Sequence, residues 1–147
     1  MISAKNFDLS DPAVVLRITC GIFHLPHLIQ KVNPFERALG TFAKSGFYPP
    51  ALWLVLAIVV EALCTIGLTL GIYTRWAAML SAGFMLVVIY AIVYAKGWVF
   101  LWNFGGIEFA LFWLLASVVV ALQAWRQERA QQQPLPLGRA APSLGEP

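Results

Sequence analysis

The sequence is poor in charge. Asp, Glu, Lys and Arg make up 12% of its 147 residues, about half the share of an average soluble domain. With 60% hydrophobic residues and a mean hydropathy of +0.75, the chain does not read as soluble. Two cysteines cannot build a disulfide framework. Two histidines, with no cysteine pair and no histidine-rich loop, give little to a metal. Both histidines fall on one helix, so they cannot reach both faces of one haem. There is no glycine-rich phosphate loop, no nucleotide fingerprint and no serine-centred hydrolase motif. No basic run forms a nucleic-acid patch, and the formal net charge of +3 speaks for anionic headgroups instead. The opening MISAKNFDLSDPAVV lacks a signal-peptide layout, because acidic residues precede the apolar run. The first helix is therefore expected to be retained.

What the sequence does have is long apolar runs. A spanning helix needs about 20 mostly apolar residues. Four segments qualify: Pro12 to Val32, Ala51 to Ile72, Trp76 to Ala95 and Gly106 to Trp125. The expected fold class is all-α, an integral membrane bundle of four transmembrane helices. Residues 1–11 form a lead-in, 12–125 the bundle, and 126–147 a polar, proline-rich tail expected to be disordered. Asp11 fits an N-cap, with Pro12 at the first helical position. Only Tyr73–Thr74–Arg75 separates the second and third spans, so they are antiparallel neighbours.

A short interfacial helix is expected between the first two spans. Asn33, Pro34 and Glu36 fit its N-cap, first-turn proline and capping-box partner, and Phe35, Leu39 and Phe42 share a face. A polar loop with scattered aromatics is the plainer alternative. Trp98, Trp102 and Phe104 suit the headgroup level. Tyr90 and Tyr94, one turn apart, fit a cavity or the same aromatic belt.

The first span is unusual. Arg17, Cys20, His24, His27 and Lys31 are spaced three, four, three and four apart. On a helix they form one polar stripe. Charged groups at mid-membrane cost about 2.5 kcal/mol or more, so the stripe is expected to face the bundle interior. Pro26 should kink the helix beside it. Counting depth at about 1.5 Å per residue puts Glu61 near the level of His24, and Lys31 near that of Glu108. The expected pairs are Glu61 with His24 or Arg17, and Glu108 with Lys31 or His27. Plainer readings stand beside these. Arg17 snorkels to headgroups, Lys31 and Glu108 only fix packing, and the histidines are satisfied core residues. Cys20 and Cys64 read as small packing residues. Glu61, in mid-helix, has no route to water.

Taken in order, these motifs resemble the DoxX family of small four-helix bacterial membrane proteins. The resemblance runs from Leu16 to Trp125. It rests on Arg17, on His27–Leu28–Ile29–Gln30–Lys31, on Gly46–Phe47 with Pro49, on Glu61 with Leu70 to Arg75, and on Gly105–Gly106–Ile107–Glu108. It implies a four-helix bundle in the bacterial inner membrane. A related branch, DoxD, is linked to thiosulfate:quinone oxidoreductase, which raises a quinone-linked redox role. On that reading His27 and Glu61 exchange protons, and Arg17, His24, Lys31 and Glu108 hold a quinone. A histidine near a carboxylate suits proton exchange near neutral pH. Nothing here holds flavin or iron–sulfur, so a soluble or membrane redox partner would supply electrons. Two other readings remain: a non-enzymatic subunit that anchors a redox partner, and a small proton-coupled transporter, which would need a homo-oligomer for its pathway. Lys5, Arg75, Arg126, Arg129 and Arg139 on the side of the termini outnumber Lys31, Arg37, Lys44 and Lys96 opposite. Both termini are therefore expected in the cytoplasm.

Overall fold

The computed structural model describes residues 4–132. Among them it is helical with no strand. Five α-helices follow a 3-10 turn at Ala4–Phe7: α1 (Pro12–Val32), α2 (Phe35–Lys44), α3 (Pro50–Leu70), α4 (Thr74–Lys96) and α5 (Glu108–Gln132). α1, α3, α4 and α5 are each long and apolar enough to cross a membrane. The molecule is a multi-pass all-α bundle with the short α2 between the first two spans.

α1 has the bounds its capping residues dictate. Asp11 Oδ1 accepts the Ala13 N–H at 2.8 Å, and Pro12 opens the helix. Pro26 lies within it, and α1 remains one helix. The other end differs from the expected boundary. Asn33 does not cap α2. Its N–H donates to the Ile29 carbonyl at 2.9 Å, closing α1. Pro34 takes the N-cap position of α2, with no side-chain cap bond. α5 also departs from expectation, since Arg126–Gln132 continue the helix where a tail was expected to begin. The rest of that expected tail, 133–147, lies outside the described residues.

Burial follows helical periodicity. On α3, Leu54, Ala57, Glu61, Cys64 and Leu68 are buried, one inward stripe at three- and four-residue spacing. Val55, Val59, Leu63 and Ile66 on the opposite face are exposed, as lipid contact requires. Cys20, Cys64, Leu68, Ala78, Met85, Trp113 and Val120 join in one core cluster. α1 packs on α3 and α4 on α5.

Two close approaches set the geometry. A Cβ on Gly21 would stand 2.6 Å from Thr69 Oγ1 and 2.7 Å from the Thr69 nitrogen. Only glycine lets α1 lie this near α3. A Cβ on Gly67 would be 2.7 Å from Ala77 Cβ, so α3 and α4 leave their shared turn in contact. That turn reverses the chain through two left-handed residues, Gly71 (φ 70) and Tyr73 (φ 48).

Candidate functional site

The Gly21 contact fixes the register of α1 on α3. Gly21 lies opposite Leu68 and Thr69. Ten positions further along α1, Lys31 therefore stands level with Ile58 and Val59. Helical side chains lean toward the helix N-terminus, so the Lys31 side chain runs deeper into the bundle. Its Nζ donates to Glu61 Oε1 at 2.8 Å and lies 3.4 Å from the His27 carbonyl. The Lys31 and Glu61 side chains are 18% and 3% exposed. This ion pair, with Glu61 buried and Lys31 half-buried, is the centre of the candidate site.

The pairing differs from the expected ones. Glu61 meets neither His24 nor Arg17, and Lys31 does not meet Glu108. Depth counting set Pro12, at the start of α1, level with Ile72, at the end of the second span, and so took the two helices to be flush. They are staggered. Lys31 lies level with a point roughly 12 Å along α3 from its Pro50 start. α2 and its flanking loops bridge the step this leaves.

His24 belongs to a different set. It is fully buried, and its Nε2 lies 2.9 Å from Ser81 Oγ on α4. Ser81 Oγ is in turn 2.9 Å from Ser117 Oγ on α5. The three side chains tie α1, α4 and α5 together at 0% exposure. The His24 ring is 4.6 Å from that of Trp113, which also stands 5.8 Å from His27. His27 is exposed on the outer surface of the bundle beside α5. Glu108 Oε2 accepts the Trp102 N–H at 3.1 Å and steadies the loop before α5. Arg17 is buried at the opposite end of α1. Its guanidinium donates to the carbonyls of Leu68, Thr69 and Asn6, and so closes the C-terminus of α3.

The predicted stripe thus splits into three. Arg17 caps α3, His24 joins two serines, and Lys31 meets Glu61. Cys20 and Cys64 are both buried and free. Ser81, Ser117 and Trp113 escaped the sequence reading. A lone serine within an apolar span is a usable signal, because its hydroxyl must find a partner away from water.

An apolar cleft opens beside the ion pair. α3 and α4 touch at Gly67 and Ala77. Further from their turn, a cavity of about 580 Å³ lies between them. Its walls come from residues such as Ala57, Val60, Leu80, Gly83, Phe84 and Val88, and α2 contributes Thr41 and Phe42. Lys31 forms part of its lining, with Nζ 6.0 Å from the Phe84 ring centroid. Lys96 lines it too. Such a volume suits a small-molecule site, and an apolar wall with a few placed polar groups is the usual composition. Behind the cleft wall, Glu61 Oε2 is buried without a hydrogen-bond partner among the described residues, and so are His24 Nδ1 and Trp113 Nε1 elsewhere in the bundle.

The fold and site define a small four-span membrane bundle with an intramembrane lysine–glutamate pair at an apolar cleft. The DoxX family profile matches residues 13–95, and the chain belongs to that family. The match holds α1 to α4, with Lys31, Glu61 and nearly all of the cleft. α5, with Ser117 and Glu108, lies beyond it. No curated protein and no solved structure matches the chain.

Proposed function

We propose that the cleft between α3 and α4 binds an amphipathic quinone or a similar small molecule, with its polar head at Lys31. The observation that carries this reading is the Lys31–Glu61 pair against the wall of an apolar cleft of about 580 Å³. An ammonium has three N–H donors. Lys31 gives one to Glu61 and a longer one to the His27 carbonyl, which leaves one for a carbonyl oxygen in the cleft. Lys31 and Arg17 enter the proposal differently. Lys31 holds the head group, whereas Arg17 sits at the other end of α1.

Reduction of a quinone takes up two electrons and two protons. In the proposed role a soluble or membrane redox partner supplies the electrons. Glu61 supplies the proton-exchanging group, with its Oε2 unpartnered and its Oε1 on Lys31. His27, on the outer surface of a span, stands where a second subunit would be met, and His24 and Glu108 hold the frame. The setting is the bacterial inner membrane with both termini cytoplasmic. Lys31 turns inward to Glu61, so Arg37, Lys44 and Lys96 alone remain of the far-side cations, which favours that orientation.

The test is quinone binding to purified protein, wild type against Lys31→Met and Glu61→Gln, with thermal stability read on the same samples. Lost binding beyond what the change in folded fraction explains supports the site. If quinone leaves the wild-type protein unchanged and both variants only melt earlier, the pair is structural. The anchoring or assembly role would then take its place, with the segment 33–48 around α2 and its Phe35, Leu39 and Phe42 as the surface to examine. Flux driven by a pH gradient in proteoliposomes would point instead to proton-coupled transport.

A further inference from the structure

A second cavity, of about 500 Å³, lies at the opposite end of the bundle. The start of α1, the last turns of α5 and the α3–α4 turn enclose it. Two opposite charges line it, Arg17 and Asp11. They do not meet: among the described residues the ion pairs are Lys31–Glu61 and Arg75–Glu128. Arg17 is only 6% exposed. Three carbonyls occupy part of its guanidinium, which has five N–H donors in all. Asp11 uses Oδ1 to cap α1, and a carboxylate keeps further acceptor positions. Gln123 and Gln127 line the α5 side, four residues apart on one helix face.

A cation and an anion that line one cavity without pairing complement a molecule carrying both charges. We propose that this cavity binds a zwitterion, with its oxyanion at Arg17 and its ammonium at Asp11. Asp11 and Pro12 mark where α1 begins its apolar run, so the cavity lies at the boundary between lipid and water. Phosphoethanolamine fits this chemistry. It reaches the boundary either as a phospholipid headgroup or as a free solute.

The experiment uses the full chain in nanodiscs of phosphatidylglycerol doped with phosphatidylethanolamine, with retained lipid read by native mass spectrometry. A parallel arm titrates free phosphoethanolamine against lipid-depleted protein in detergent. Asp11→Asn is the central variant, because asparagine caps a helix as well as aspartate does and α1 should fold unchanged. The wild type is expected to retain phosphatidylethanolamine over phosphatidylglycerol by about tenfold, the scale of one charge-assisted hydrogen bond. Asp11→Asn should abolish that preference. Gln127→Glu, at an exposed position, places a competing carboxylate near Arg17 and should weaken both arms. Saturable binding of the free solute without a lipid preference assigns the cavity to a soluble zwitterion. The proposal is overturned if the wild type shows neither, or if Asp11→Asn leaves both intact.

Discussion

Lys31 Nζ lies 2.8 Å from Glu61 Oε1, although Lys31 is the next-to-last residue of α1 and Glu61 sits in the middle of α3. The stagger of the two helices makes this possible, and the backward lean of the lysine completes it. The pair is deep enough that breaking it should be expensive. Lys31→Met should cost about 3 kcal/mol, because it leaves Glu61 buried without its counter-charge, and Glu61→Leu alone should cost less, because Lys31 keeps some exposure. Lys31→Met combined with Glu61→Leu should recover most of that loss, since an apolar replacement of a whole buried pair is often neutral. Equilibrium unfolding of the two singles and the double gives the coupling directly. Additive losses would show that the pair contributes little.

The stagger depends on one small residue. Gly21→Ala should destabilise by about 1–3 kcal/mol through overpacking, because the added methyl meets Thr69 backbone as well as its side chain. Gly40→Ala on α2 is the control. Its Cβ meets nothing within 4 Å, and alanine is the better helix former by about 0.8–1 kcal/mol. Thermal midpoints that move in opposite directions would bear this out. Equal tolerance of both changes would mean that α1 and α3 lie further apart.

Ser81 joins His24 to Ser117, so the two serines should not be equivalent. Ser81→Ala removes a partner from both neighbours, each buried at 0% exposure. Its cost should be about 1–3 kcal/mol. Ser117→Ala leaves the His24–Ser81 bond in place and should cost less. The order of the two unfolding free energies is the measurement, and the reverse order would refute the chain of bonds.

Much of this fold could be read from the chain. Four apolar runs gave four spans, and Asp11–Pro12 gave the start of α1 to the residue. The polar stripe was also legible as a set of groups that needed burial. Which groups met was not. Depth counting from the membrane faces took helices of similar length to be flush. The real offset follows from the Gly21–Thr69 contact, which no periodicity encodes. Asn33 misled for a local reason, since one residue served equally well as the end of α1 and the start of α2. The cleft was invisible because it depends on α3 and α4 separating beyond Gly67 and Ala77.

Cys20 and Cys64 offer a probe of the bundle. Both are buried, at 4% and 0% exposure, and both are free. Neither should react with N-ethylmaleimide in the folded protein, and both should react once it is denatured. Mass spectrometry after a timed exposure separates the two states. Rapid labelling of the folded wild type would mean that the core opens around α1 and α3.

Gly83 gives the sharpest separation of binding from stability. It lies on α4, lines the cleft, and a Cβ there meets nothing within 4 Å. Gly83→Leu would project an isobutyl group into the space the quinone ring or tail is proposed to occupy. The backbone should tolerate it, because leucine is a stronger helix former than glycine and the added Cβ enters open space. The variant should therefore fold with an unchanged or higher thermal midpoint and lose quinone binding by about tenfold or more, a difference of about 1.4 kcal/mol. Unchanged binding in a well-folded Gly83→Leu protein would remove the cleft as the site, even if the Lys31 and Glu61 variants fail to bind. Those residues would then act through the packing of α1 on α3.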